Sequence, residues 1–159
     1  MSHTLITVAA AATTVVGGDA EHIMLIGVDD LLSAALRSDP PRAEELANAI
    51  GMVTDHLDDV VRELPGVVGS AASVVGPQME AIAAVEIGAP PVLPFLLTRD
   101  AAEDVFRTLA TEPEIDRRRN PGLDASQVVP VVAGCCILVA IMRRLHLPEI
   151  TIRAADPFG

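Results

Sequence analysis

Four residues have the types that a phosphate group attracts. Thr13 and Thr14 are adjacent hydroxyls directly behind the run Ala9 to Ala12, and Gly69 and Ser70 follow the apolar pair Val67-Val68. Hydroxyls donate to phosphate oxygens, and a glycine lets backbone N–H groups come close. These four form the candidate phosphate- or nucleotide-binding set. Each also has a plain structural reading: Thr13 and Thr14 as β-branched strand residues, Gly69 and Ser70 as a turn. His3, His22, His56 and His146 are scattered, with no spacing that makes a catalytic or metal pair. Cys135 and Cys136 are adjacent, unlike the C-x-x-C of a metal or redox motif. No catalytic residue and no metal ligand is assigned from these groups. The only basic cluster, Arg117 to Arg119, reads as a solvated helix end in preference to an anion site.

Composition removes several function classes. All eleven basic residues are Arg, so a lysine-dependent phosphate loop or Schiff base is excluded. The formal net charge of −11 repels polyanions, so nucleic acid is a poor partner. With three Phe and neither Tyr nor Trp, base or sugar stacking has little to work with. Half of the residues are hydrophobic, enough for a sizeable core in 159 residues. Adjacent cysteines on one helix point apart, which disfavours a disulfide between them, and buried free thiols fit a reducing cytoplasm. The N-terminal apolar run Leu5 to Val16 has no basic residue ahead of it except His3, a poor match to a secretory signal.

These groups must be placed by a chain that reads as α/β. Thr4 to Val8 and Thr13 to Val16 are β-branched runs, Gly17-Gly18-Asp19 is a hairpin turn, and His22 to Ile26 makes a third strand. A short helix capped by Asp29 or Asp30 is expected from Leu31 to Arg37. Pro40-Pro41 breaks the chain before a long amphipathic helix, Arg42 to Leu64, with Leu46, Ile50, Val53, Leu57, Val60 and Val61 on one face. Val67 to Ala72 reads as a strand, Gln78 to Ile87 as a helix, and 88–94 as an irregular Pro-rich connection. Thr98 caps a helix to about Ala110, and a shorter one ends near Arg119. Asp124 or Ser126 then caps the fifteen uncharged residues Val128 to Met142. That is short of the roughly 20 needed to cross a bilayer, and a helix apolar all round suits a packed core. No membrane association is expected. Arg143 and Arg144 sit where the helix dipole favours them, and Glu149 to Ile152 returns as a strand.

Four blocks of this pattern resemble the C-terminal lobe of the exopolyphosphatase / guanosine pentaphosphate phosphohydrolase (Ppx/GppA) family, of the actin-like ATPase superfamily. They are Leu5 to Thr14, against D-I-G-G-G-S-T-E; Leu36 to Leu46, a helix junction; Val67 to Val74, against V-G-x-G-G-T-x-T-T; and Asn120-Pro121-Gly122-Leu123 through Ala133-Gly134 to Ile152. The resemblance implies a single ribonuclease H-like lobe over residues 1–159. It implies a mixed sheet of about five strands, an initial antiparallel β-meander and flanking helices.

The departures from the resemblance are as informative. Thr7 stands where the resemblance implies a metal-positioning Asp, and Ala9 to Ala12 where it implies Gly-Gly-Gly-Ser. A Cβ at each position obstructs the close approach that glycine allows. Thr14 takes the loop's acidic position, Leu93-Pro94 a His-Gly pair, and Gln127 and Val129 an Arg and an Asp. The N-terminal lobe that would supply the first phosphate loop and the catalytic Glu is expected to be missing. The leading expectation is therefore a catalytically inactive, single-lobe relative in the cytoplasm. It acts through association with itself or with a full-length family member. Residual nucleotide or phosphate sensing is the alternative, as is a phosphohydrolase half completed by a separate lobe. No cofactor is expected, and Mg²⁺ only if activity is retained.

Overall fold

Alternation along the first strand sets the architecture. In β1 (His3–Val8), Thr4, Ile6 and Val8 are buried while His3, Leu5 and Thr7 face out, the two-residue period of a half-buried strand. The computed structural model describes residues 3–155, so the ends of the expected 1–159 span lie outside the described residues. β2 (Thr13–Gly17) and β3 (Ala20–Met24) complete an antiparallel meander. Their two-residue connection, Gly18-Asp19, uses Gly18 at φ +60°, the left-handed conformation a tight hairpin needs.

The chain then alternates helices with strands. α1 (Val28–Ala34) and α2 (Ala43–Glu63) lead to a 3-10 turn at Pro65–Val67 and to β4 (Ala71–Val75). α3 (Pro77–Ile87), β5 (Phe95–Thr98), α4 (Arg99–Thr111) and α5 (Glu114–Arg117) follow. A 3-10 turn at Ala125–Gln127 introduces α6 (Pro130–Arg144), and β6 (Glu149–Ile152) closes the sheet. The strand order is β3-β2-β1-β4-β6-β5. β1, β4 and β6 run parallel, and β5 lies antiparallel to β6 on the outer edge. The fold is α/β with a mixed sheet, as expected, and has six strands where about five were expected.

α6 is the centre of the core. Every residue from Val131 to Met142 is buried, and α1, α2, α3 and α4 pack around it. Full burial of a Leu, Ile or Met side chain stabilises by about 1.5–3 kcal/mol, and this helix alone contributes Ile137, Leu138, Ile141 and Met142. α2 presents Ala49, Val53, Leu57 and Val60 to it at helical spacing. The helices gather on one face of the sheet. The opposite face, on which Leu5, Thr7 and Leu96 lie, has no helix over it among the described residues.

Several expectations need correction. The strand expected at Val67–Ala72 begins at Ala71, and Pro65–Val67 is a 3-10 turn, because proline at 65 pre-sets a helical φ and cannot donate to a ladder. The strand-end glycine is thus Gly76, not Gly69. The third strand is Ala20–Met24, set back from His22–Ile26 by the tightness of the hairpin. α1 starts at Val28 and is introduced by Gly27, whose N–H donates to the Asp30 carboxylate at 2.8 Å. β5 directly follows the Pro-rich connection at 88–94, where no strand is expected, since its four residues are too few to show a period. Asp124 caps the 3-10 turn rather than α6 itself, accepting from the Ser126 N–H at 3.0 Å. Bonds from the Ser126 hydroxyl and N–H hold that carboxyl below its ordinary pKa.

Candidate functional site

In open α/β sheets the carboxyl ends of the parallel strands are where ligands bind. Here that edge holds a cavity of about 500 Å³. Its walls are Thr7 to Ala10 at the end of β1, Val75 and Gly76 at the end of β4, Pro77 and Gln78 opening α3, and Val28 and Asp29 opening α1. Gly76 has φ +150°, and a Cβ there would sit 2.6 Å from the Val8 carbonyl oxygen. Two strand ends can approach this closely only through a glycine.

Several of the cavity's backbone donors are already bonded, and the reason is local. Ala9 N–H donates to the Ala12 carbonyl at 3.0 Å, closing the loop on itself. The Ala9 and Ala10 carbonyls accept from the Val28 and Asp29 N–H groups at 3.1 and 2.9 Å. Two first-turn donors of α1, which elsewhere would meet an anion, are therefore spent on the loop. Pro77 brings no N–H to the start of α3, and the Met79 and Glu80 N–H groups both donate to the Gly76 carbonyl at 3.1 Å. The Gln78 side-chain amide donates to Gln127 Oε1 at 3.1 Å and turns toward α6, where its Cβ lies against Gly134.

Charge completes the picture. No arginine lines the cavity, and its one charged lining residue is Asp29, of the same sign as phosphate. Among the described residues no three His, Cys, Asp or Glu side chains converge as metal ligands would. A magnesium-bound phosphate needs carboxylate oxygens for the ion and donors or cations for the phosphate. Asp29 brings one carboxylate, and no arginine stands beside it for the phosphate.

The four candidate residues are not brought together. Thr13 is buried, and its hydroxyl donates to the Ile26 carbonyl at 2.8 Å. Thr14 pairs with Thr7 and Ile23 across the meander. Gly69, at φ +72°, donates its N–H to the Leu145 carbonyl at 2.7 Å, and the Ser70 hydroxyl bonds Thr4 Oγ1 at 2.6 Å and the Val67 carbonyl at 3.0 Å. Gly69 and Ser70 precede β4, so they line a smaller cavity of about 200 Å³ at the amino-end edge of the sheet, opposite to the 500 Å³ one. The histidines do not converge either: His22 bonds Glu63 at 2.5 Å, and His3 bonds the buried Ser73 hydroxyl at 2.7 Å.

Arg117 overturns the expectation for the basic cluster. It is buried at 3% exposure, while Arg118 and Arg119 are exposed. Its guanidinium donates from Nε to the Leu109 carbonyl at 2.9 Å, from Nη1 to Val128 at 2.7 Å and from Nη2 to Glu112 at 2.8 Å. It ties the end of α4 to the approach of α6. Burial lowers its pKa, with Asp39, Glu114 and Glu112 acting the other way. Its partners are main-chain carbonyls, which no side-chain spacing advertises. Arg143 and Arg144 do sit in the last turn of α6, held by a two-point pair with Glu103 at 2.6 and 2.8 Å and by Asp58 at 2.7 Å. No helix among the described residues is long and apolar enough to cross a membrane.

No protein-family model and no curated protein matches the sequence. Solved structures match the fold. A Ppx/GppA phosphatase from Aquifex aeolicus superposes with TM-score 0.85 at 17% identity, covering 96% of this chain and 53% of that one. An exopolyphosphatase-like protein gives 0.87 at 16%, covering 96% and 55%. An exopolyphosphatase from Cytophaga hutchinsonii gives 0.82 at 13%, covering 96% and 53%. The chain has the fold found in these structures and spans about half of their length.

Proposed function

We propose that this chain is a degenerate counterpart of the C-terminal lobe of Ppx/GppA phosphatases, catalytically silent, and that it works by associating with other protein. One observation carries the silent half of this reading. The cavity at the carboxyl edge is walled mainly by alanine, valine and proline, the Val28, Asp29 and Met79 N–H groups at its helix starts are already bonded, and only Asp29 is charged. Transition-state stabilisation of a phosphoryl group requires placed cations and donors. No cation stands there, and the sequence has no lysine to bring to it. The associating half draws on the sheet face that no helix covers among the described residues. The partner on this reading is a second copy or a full-length relative, in the cytoplasm, with no cofactor.

The test is hydrolysis of polyphosphate and of guanosine pentaphosphate with Mg²⁺, by the protein alone and mixed with a full-length relative. The expected result is no turnover by the chain alone and none added to the relative's own. Turnover by the chain alone, or a gain in the mixture that needs this chain's cavity residues, contradicts the silent reading. The gain would favour a half-enzyme completed by another lobe. Phosphate or nucleotide sensing is the weaker proposal, because Thr13, Thr14, Gly69 and Ser70 lie at opposite edges of the sheet with three of them already bonded. A thermal shift with millimolar phosphate or guanine nucleotide would restore it.

A further inference from the structure

The uncovered face of the sheet differs in chemistry from the rest of the surface. Successive strands present Val16, Leu5, Ser73, Thr151 and Leu96 side by side, in the register of the ladders, with Ser73 itself buried and bonded by His3 and Arg153. Leu5 and Leu96 are 39% and 54% exposed, and Ile23, one row on, is 52% exposed. Charged residues make up 21% of the chain, yet the three parallel strands bring only two to this face besides His3. These are Glu149 and Arg153, both exposed and neither in an ion pair among the described residues. Arg153 continues the ladder, its N–H donating to the Val74 carbonyl at 3.0 Å, and its Nε donates to Ser73 at 2.7 Å. That bond fixes Arg153 on the uncovered face. Glu149 and Arg153 are four residues apart on one strand line, about 13 Å at strand rise.

We infer that this face is the contact between two copies of the chain, stacked sheet on sheet about a two-fold axis that lies between the sheets and across the strands. The inference rests on the association reading and names its surface. Such an axis lays each central strand over its own reversed copy. The Leu5 rows then meet, and Arg153 comes over the partner's Glu149, and Glu149 over the partner's Arg153. Both charges that the parallel strands bring to the face are thereby paired by symmetry. Six strands about 4.8 Å apart and four to six residues long outline roughly 400 Å² per copy. Two copies therefore bury about 800–1,000 Å², the lower end of specific interfaces, so the dimer is a weak one. Glu21, at the solvent edge of β3, faces its own copy there, a repulsion that salt screens.

The experiment is sedimentation equilibrium from 5 to 300 μM, with circular dichroism to check the fold of each variant. The wild-type chain should show a monomer–dimer equilibrium. Leu5→Arg should weaken it at least tenfold, and so should Glu149→Arg and Arg153→Glu singly, while the double variant E149R/R153E should recover most of the dimer. Arg153→Glu also removes the bond to Ser73, so Glu149→Arg carries the test if that variant misfolds. A wild-type monomer at 300 μM overturns the inference. A dimer indifferent to Leu5→Arg and Glu149→Arg overturns this face while leaving association intact. Phosphohydrolase activity would sink the silent reading without touching this surface.

Discussion

The cavity at the carboxyl edge of the sheet and the Arg117 node beside α6 are two polar opportunities used in opposite ways. At the edge, where backbone donors and a carboxylate would make phosphate chemistry, the chain places alanine, valine and proline and spends its helix donors internally. At the node, a guanidinium that could have met an anion is buried against three carbonyls. The contrast teaches that the buried guanidinium serves the architecture, and that the edge where ligands bind in such sheets is mainly apolar.

Breaking the node should give the largest effect. Arg117→Ala leaves three carbonyls without their donor and opens a void, so it should cost about 3–5 kcal/mol, read as a fall in the urea midpoint with little change in slope. At the cavity, Gly76→Ala forces a Cβ against the Val8 carbonyl at a φ that L-residues avoid. The expected loss is about 2 kcal/mol, detectable in the same titration.

A third prediction exploits the composition. Burial pushes the thiol of Cys136 up to about 12 and that of Cys135 higher still. Below about pH 7.5 both thiols are protonated folded or unfolded, so they add no pH dependence, and above that the unfolded chain begins to ionise them. Above pH 9 the unfolded chain ionises them and the folded chain does not, so stability falls as pH rises. The slope should approach about 1.4 kcal/mol per pH unit for each thiol. With no lysine and no tyrosine in the chain, no other side chain titrates near there. Replacing both cysteines by alanine should flatten the alkaline limb. A limb of unchanged steepness would contradict the buried-thiol account.

The smallest effect sharpens the comparison from the cavity side. Thr7 is exposed, so Thr7→Asp should change stability by less than about 0.5 kcal/mol. It should also fail to confer magnesium-dependent nucleotide binding, because the Ala9 N–H stays bonded to Ala12 and no arginine lines the cavity to meet the phosphate. Binding by calorimetry after that single change would show the loop to be closer to competent than its hydrogen bonds imply.

Much of the scaffold was legible in the sequence. Pattern and caps found the meander, α2, α4 with its Thr98 cap, α6 and β6, because each is long or sharply punctuated. The failures were local. β5 is four residues directly after Pro94, and β4 begins four residues later than the expected Val67 because Val67-Val68-Gly69 mimics the strand end that Val74-Val75-Gly76 supplies. That slip moved the expected ligand loop to the wrong edge of the sheet. The alanine run at 9–12 was legible as a departure, but its hydrogen bonds into α1 were not. Nor was the Arg117 node, whose acceptors belong to the backbone. The uncovered sheet face was hidden for the same reason: alternation in β1 says that one side is buried, and only the packing says which side the helices take.

The most direct test of the silent cavity is a crystal structure of the protein soaked in Mg²⁺ and a guanine nucleotide at millimolar concentration. The account predicts no ion or phosphate against residues 7–10, 28–29 or 76–78. A metal-bound phosphate seated there, held by the loop's N–H groups, would contradict it.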